Sequence, residues 1–171
     1  MKKLFTFFAV LAMATSLTAQ TPKENLLKDW ERARAYTKEY LDAMPETGYA
    51  LKPTKEMRSF AGQMLHIADA NYGIVGTATE VAPTVKDLEK SNDVAKASVT
   101  EKVLASYDFA INAIKNYPDA KWAEMIKLFN RFDVTRGQVI DKACEHQTHH
   151  RGQTTVYIRM AGATPPAEKL F

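Results

Sequence analysis

Three of the four histidines in this chain fall within five residues, in the stretch His146-Gln147-Thr148-His149-His150-Arg151-Gly152-Gln153. On an α-helix, His146 and His150 stand one turn apart on the same face, about 6 Å along the axis. Two imidazoles so spaced can converge on one metal ion when a third ligand arrives from another element. The remaining histidine, His66, lies in a different helical segment, and a site of His66, His146 and His150 is the leading reading of these residues. The competing reading is a surface cluster of histidines with no metal. His149, on the flank of the shared face, would replace a ligand, transfer protons or simply be exposed. The HxxxH spacing also invites comparison with zinc peptidases, whose H-E-x-x-H motif places a glutamate after the first histidine. Here that position is Gln147, which cannot act as a general base, so the peptidase reading fails.

Helices must carry these residues. The apolar spacing predicts a first helix over 23–43, through Leu26, Leu27, Trp30, Ala33, Tyr36, Tyr40 and Leu41. A second is predicted from Thr54, capped after Pro53, to about Gly76, with Met57, Phe60, Ala61, Met64, Ala68 and Val75 as its stripe. On that helix His66 shares its face with Ser59, Gly62, Ala70 and Gly73, small residues that either admit a close helix or leave room around a site. Residues 77–97, with Pro83 and several charges, read as a long crossover carrying at most one short helix. Ser98-Val99-Thr100-Glu101 has the form of a capping box opening a third helix that stops before Pro118. Residues 119–133 are ambiguous, with Trp122, Met125, Ile126, Phe129 and Phe132 suggesting an extra helical segment at a lid or edge. Thr135 to Gln138 offers a second capping box, and the fourth helix follows to Met160, stopped by Gly162. No convincing strand emerges. The expected fold is all-α, a four-helix bundle with a long crossover between helices 2 and 3, in which facing helices build the metal site.

Composition narrows the context. Lys2 and Lys3, the apolar run Leu4–Leu17 and Ala19 describe a secretory signal peptide over 1–19, followed by a single domain over 20–171. No cysteine lies in that segment, which excludes lipoprotein processing there. Removing Lys2 and Lys3 from the 23 basic residues leaves 21 against 20 acidic ones, so the mature chain is nearly neutral. It shows no basic patch for nucleic acid, and no membrane association is expected after cleavage. The destination would be periplasmic or secreted. Cys144 is the sole cysteine, so no internal disulfide forms. It stands two residues before His146 and points off the His146/His150 face.

The run His146-x-x-x-His150-Arg151-Gly152-Gln153, followed by Tyr157 to Gly162 and Pro165-Pro166, resembles the C-terminal signature of the DinB/YfiT-like family of proposed metalloenzymes. Met64-Leu65-His66-Ile67-Ala68-Asp69-Ala70 is similar to that family's other histidine segment, in the expected order and separation. The resemblance implies a four-helix bundle and makes His66, His146 and His150 ligands of a divalent ion, zinc or nickel. It implies architectural roles for Arg151, a charge pairing at the bundle surface, and for Gly152, a close helix contact. Gln153 would orient a ligand or water, or make a structural hydrogen bond.

Three protein ligands leave a position for water or substrate, the arrangement of a catalytic site. The expectation is an exported metal-dependent enzyme, a hydrolase or a thiol or group transferase, acting on a small molecule. Asp69, Glu145, His149 and Tyr157 are unranked candidates for a general base. Some members of the resembled family use low-molecular-weight thiols, but export would remove this chain from the cytosolic thiol pool. The alternative is a non-catalytic metal-binding or stress-related bundle. Aromatic surface between Trp122 and Phe132 would either make a homodimer interface or complete the core.

Overall fold

The computed structural model describes residues 22–170; the signal-peptide reading of 1–19 lies outside them. Helix α1 (Pro22–Ala43) buries Trp30, Ala33, Tyr36, Thr37, Tyr40 and Leu41, a stripe at three- and four-residue spacing. Helix α2 (Phe60–Ala70) passes through a single π turn, Asn71–Val75, into the short α3 (Gly76–Thr79). Helices α4 (Lys96–Asn116) and α5 (Arg136–Met160) complete the bundle. Both α1 and α2 pack against α4 and α5. Trp30 meets Tyr107 edge to face at 6.0 Å between α1 and α4, and Phe60 meets Tyr157 at 6.4 Å between α2 and α5. Such pairs add about 1 kcal/mol each to the burial of their rings. No helix among the described residues is long and apolar enough to cross a membrane.

The ends of α5 are where the sequence places them. The Thr135 hydroxyl accepts from the Gln138 N–H while the Gln138 side chain accepts from the Thr135 N–H, a complete capping box. At the other end Gly162 takes φ +77°, the Ala163 N–H reaches the Ile158 carbonyl and the Gly162 N–H reaches the Arg159 carbonyl, a Schellman motif.

Three expectations need correction. Helix α2 begins at Phe60, not Thr54, because the Phe60 and Ala61 N–H groups bond back to the Leu51 and Tyr49 carbonyls and Ser59 caps Gly62. Met57 is therefore in the preceding loop, exposed rather than in the core stripe. Helix α4 starts two residues before the expected box. Its cap residue, Ala95, makes no side-chain bond, and the Ser98 hydroxyl donates instead to Asp93. The segment 119–133 is mainly an antiparallel hairpin, β1 (Met125–Leu128) with β2 (Phe132–Thr135), after one 3-10 turn at Asp119–Lys121. Phe129 and Asn130 both have positive φ, the geometry of a type I′ turn, which a helix would not permit. Leu128 and half-buried Trp122 join the core, while Met125, Phe129 and Phe132 stay exposed.

Asp93 does the work assigned to the missing box. Its carboxylate accepts from Lys102 Nζ and Ser98 Oγ at 2.6 Å each and from the Ala95 N–H at 3.0 Å. These bonds lower its pKa from 3.8 to about 2. The unfolded chain therefore takes up this proton first as pH falls. The stabilisation is complete above pH 3.8 and is lost as pH drops toward 2. Melting curves between pH 7 and pH 2 should show Asp93→Asn less stable than wild type at pH 7, with the gap closing in acid. A gap independent of pH would contradict this account.

Candidate metal centre

His66 projects from the middle of α2, and His146 and His150 from successive turns of α5. Bundle packing brings the three together, each offering a ring nitrogen such that all three atoms lie within 4.8 Å of one another. Ring centroids are 5.0 Å apart for His66–His146, 4.5 Å for His66–His150 and 4.4 Å for His146–His150. All three side chains are partly buried; the face of α2 that carries His66 is half-covered, with Gly62, Asp69 and Ala70 intermediate, while Met64 and Ala68 on the opposite face are buried.

Their protonation suits coordination. Burial, followed by the neighbouring His66 and His149 and the Arg58 charge, pushes His146 down to about 4. Burial and then His146, His66 and His149 do the same to His150, also to about 4. Both rings are neutral at pH 7, the form that binds a metal ion. His146 Nδ1 is buried without a hydrogen-bond partner among the described residues. Orphaned buried nitrogens are rare because they forfeit a hydrogen bond to water, and a metal ion would satisfy this one. The three imidazoles could thus hold a divalent ion, and they fit zinc- or nickel-type chemistry without selecting between them.

One residue invisible to sequence reading completes the cluster. Glu89, in a 3-10 turn of the 80–95 connection, places Oε2 2.7 Å from His66 Nδ1. Burial raises its pKa, but bonds from Arg58 and His66 outweigh that and hold the carboxyl below its usual range. An ionised carboxylate only accepts, so His66 Nδ1 carries the shared proton and Nε2 is the nitrogen left to face a metal ion. Carboxylate–histidine pairs of this kind orient metal ligands and raise their basicity. Glu89 is itself fixed: the Asp69 carboxylate accepts the Leu88 and Glu89 N–H groups at 2.9 Å each, and Arg58 Nε reaches Glu89 Oε1 at 2.5 Å.

The other singled-out residues now have places. Asp69 holds that turn, Glu145 pairs with Lys142 on the surface, and Tyr157 donates its hydroxyl to the Arg58 carbonyl. These three candidate bases are occupied structurally. His149 is exposed, its Nε2 2.9 Å from Gln153 Nε2, with its ring 4.9 Å from that of His150. Gln153 also bonds Gln63, whose amide lies 3.0 Å from His150 Nδ1. Cys144 takes no part, and burial pushes its thiol up to about 12.

Arg151 and Gly152 depart from expectation. Arg151 is buried, not paired at the surface. Its Nη1 donates to Gln147 Oε1 at 2.6 Å and to Thr37 Oγ1 at 3.3 Å, and its guanidinium lies 4.7 Å from the Tyr36 ring centroid. Gln147 also accepts from the Tyr107 hydroxyl, so the residue after the first histidine is turned into the bundle. Gly152 makes no close helix contact, since a Cβ there would meet nothing within 4 Å. The small residues beside His66 leave room: Ser59 and Gly62 line one cavity and Gly73 another.

A helical bundle presenting three histidines from two of its helices defines a class of possible metal-binding proteins. The DinB family model matches residues 13–170, and the chain belongs to the DinB family. The uncharacterised protein YrdA of Bacillus subtilis (strain 168) is 24% identical over 148 residues, covering 84% of this chain and 85% of that one. A DinB-like protein of Bacillus cereus ATCC 10987 superposes with a TM-score of 0.76 at 18% identity, over 85% of this chain and 97% of its own. The DinB-like protein YjoA of Bacillus subtilis gives 0.67 at 18% identity, over 86% and 96%. These structures establish the shared fold.

Proposed function

We propose that this chain is an exported metal-dependent enzyme that acts on a small molecule by hydrolysis or group transfer. The observation that carries the reading is the convergence of His66, His146 and His150 within 4.8 Å, with Glu89 behind His66. Bound by these three imidazoles, a zinc or nickel ion would supply Lewis acidity and activate a water or thiol at a position left free by the protein. A cavity of about 520 Å³ reaches the cluster at His150, lined also by Gln63, Glu89, Gln153 and Tyr157. Such access supports catalysis over storage. Of the candidate bases, His149 is exposed beside His150, and its side-chain partner is the amide of Gln153. The basic, apolar leader Lys2–Leu17 supports export.

Cobalt(II) substitution tests the reading. The visible spectrum of the cobalt protein should report a nitrogen-rich site that changes on titration with azide, because a ligand position is open. A spectrum indifferent to azide would favour the non-catalytic metal-binding alternative, and failure to bind cobalt, zinc or nickel would end both.

A further inference from the structure

The cavity at His150 has one cationic wall residue, Arg58, from the loop that precedes α2. Its guanidinium is held in place through Nε by Glu89 Oε1 at 2.5 Å, the only hydrogen bond of that group among the described residues. The outer edge, Nη1 and Nη2, therefore stays available, and the side chain is 40% exposed. That edge is the fork with which arginine takes a planar oxyanion in two parallel bonds. The acids nearby are committed: Glu89 to His66 and Arg58, and Glu56 to its own turn through its backbone N–H and Thr54. Met57, which is exposed, adds an apolar surface to the same cavity, and the buried Tyr157 borders it. Arg58 also borders the adjoining cavity of about 370 Å³, where Lys52 offsets Glu89 and Asp93, the latter bonded to Lys102 and Ser98.

We propose that Arg58 binds the carboxylate of the substrate, a small organic acid whose apolar body lies against Met57 and Tyr157. The inference rests on the catalytic reading of the histidine site only for the reacting end of that molecule. Phenylacetate and its neutral counterpart phenylacetamide are suitable probes. Calorimetric titration of the zinc-loaded protein should show phenylacetate bound more tightly by about tenfold or more, the scale of one charge-assisted bond. Arg58→Gln should erase that preference and Arg58→Lys should retain part of it, each measured on protein reloaded with zinc and on protein freed of metal, because Arg58 also bonds Glu89. Titration of the metal-free protein separates the two ideas. An Arg58-dependent preference that survives there supports the arginine site even if wild type retains no metal. A preference that persists in Arg58→Gln, or no binding of phenylacetate to wild type, would overturn the proposal.

Discussion

His146→Ala and His66→Ala should each abolish near-stoichiometric metal binding. Wild type, loaded with zinc or nickel and freed of excess, should hold about one ion per chain. Each variant removes a direct donor, so its affinity should fall by more than the roughly 100-fold upper end seen when only an outer partner is lost. Elemental analysis with a competing chelator reads this directly. Instability would not explain the loss. The wild-type metal-free protein buries the His146 Nδ1 without a partner and keeps His146 and His150 neutral against burial. Alanine at 146 removes that unsatisfied nitrogen at a helical position, where alanine is the most favourable residue. The metal-free His146→Ala protein should therefore melt no lower than metal-free wild type at pH 7. Full metal retention in either variant would remove that histidine from the ligand set.

The second large effect concerns a residue expected to touch no metal. Glu89→Ala should weaken zinc binding by roughly 10–100-fold, because His66 loses the acceptor that fixes its tautomer and ring plane. Glu89→Gln keeps an acceptor oxygen without the charge and should lie between the two. Circular dichroism and the metal-free melting point control for general damage, which would lower stability without this graded order in affinity. Equal affinities for wild type, Gln and Ala would show that the Glu89–His66 bond has no bearing on the ligand.

The histidine pattern was legible because a helix converts spacing into geometry. His146 and His150 had to share a face, and Thr135, Gln138 and Gly162 marked the ends of the helix that carries them. Glu89 was illegible for the opposite reason. It reaches His66 across 23 residues of chain, through a turn whose shape depends on Asp69 binding two backbone N–H groups. No local periodicity encodes such a contact. The hairpin was missed because Trp122, Met125, Ile126 and Phe129 mimic helical spacing, while the decisive signal was a pair of left-handed residues, Phe129 and Asn130. Thr54 misled as a cap because the backbone of Phe60 and Ala61 is drawn toward Tyr49 and Leu51 first. Arg151 was misplaced because its partners, Thr37, Gln147 and the Tyr36 ring, are neutral and two of them lie on α1. A charge without an opposite charge reads as a surface residue until packing is known.

The contrast between Arg151 and Arg58 divides the molecule by its response to ionic strength. Arg151 is 5% exposed and bonded to neutral groups, so mobile counter-ions have no route to it and nothing to compete with. The seam between α1 and α5 should hold its register from dilute buffer to concentrated brine. The Arg58–Glu89 pair is 40% and 32% exposed and ties two loops together through one charged hydrogen bond at the mouth of the site. Added salt should loosen that tie first, and amide exchange should quicken around 56–58 and 88–90 while residues 147–154 stay protected. The same bundle would then present a rigid pair of helices beneath an entrance whose opening is set by the surrounding electrolyte.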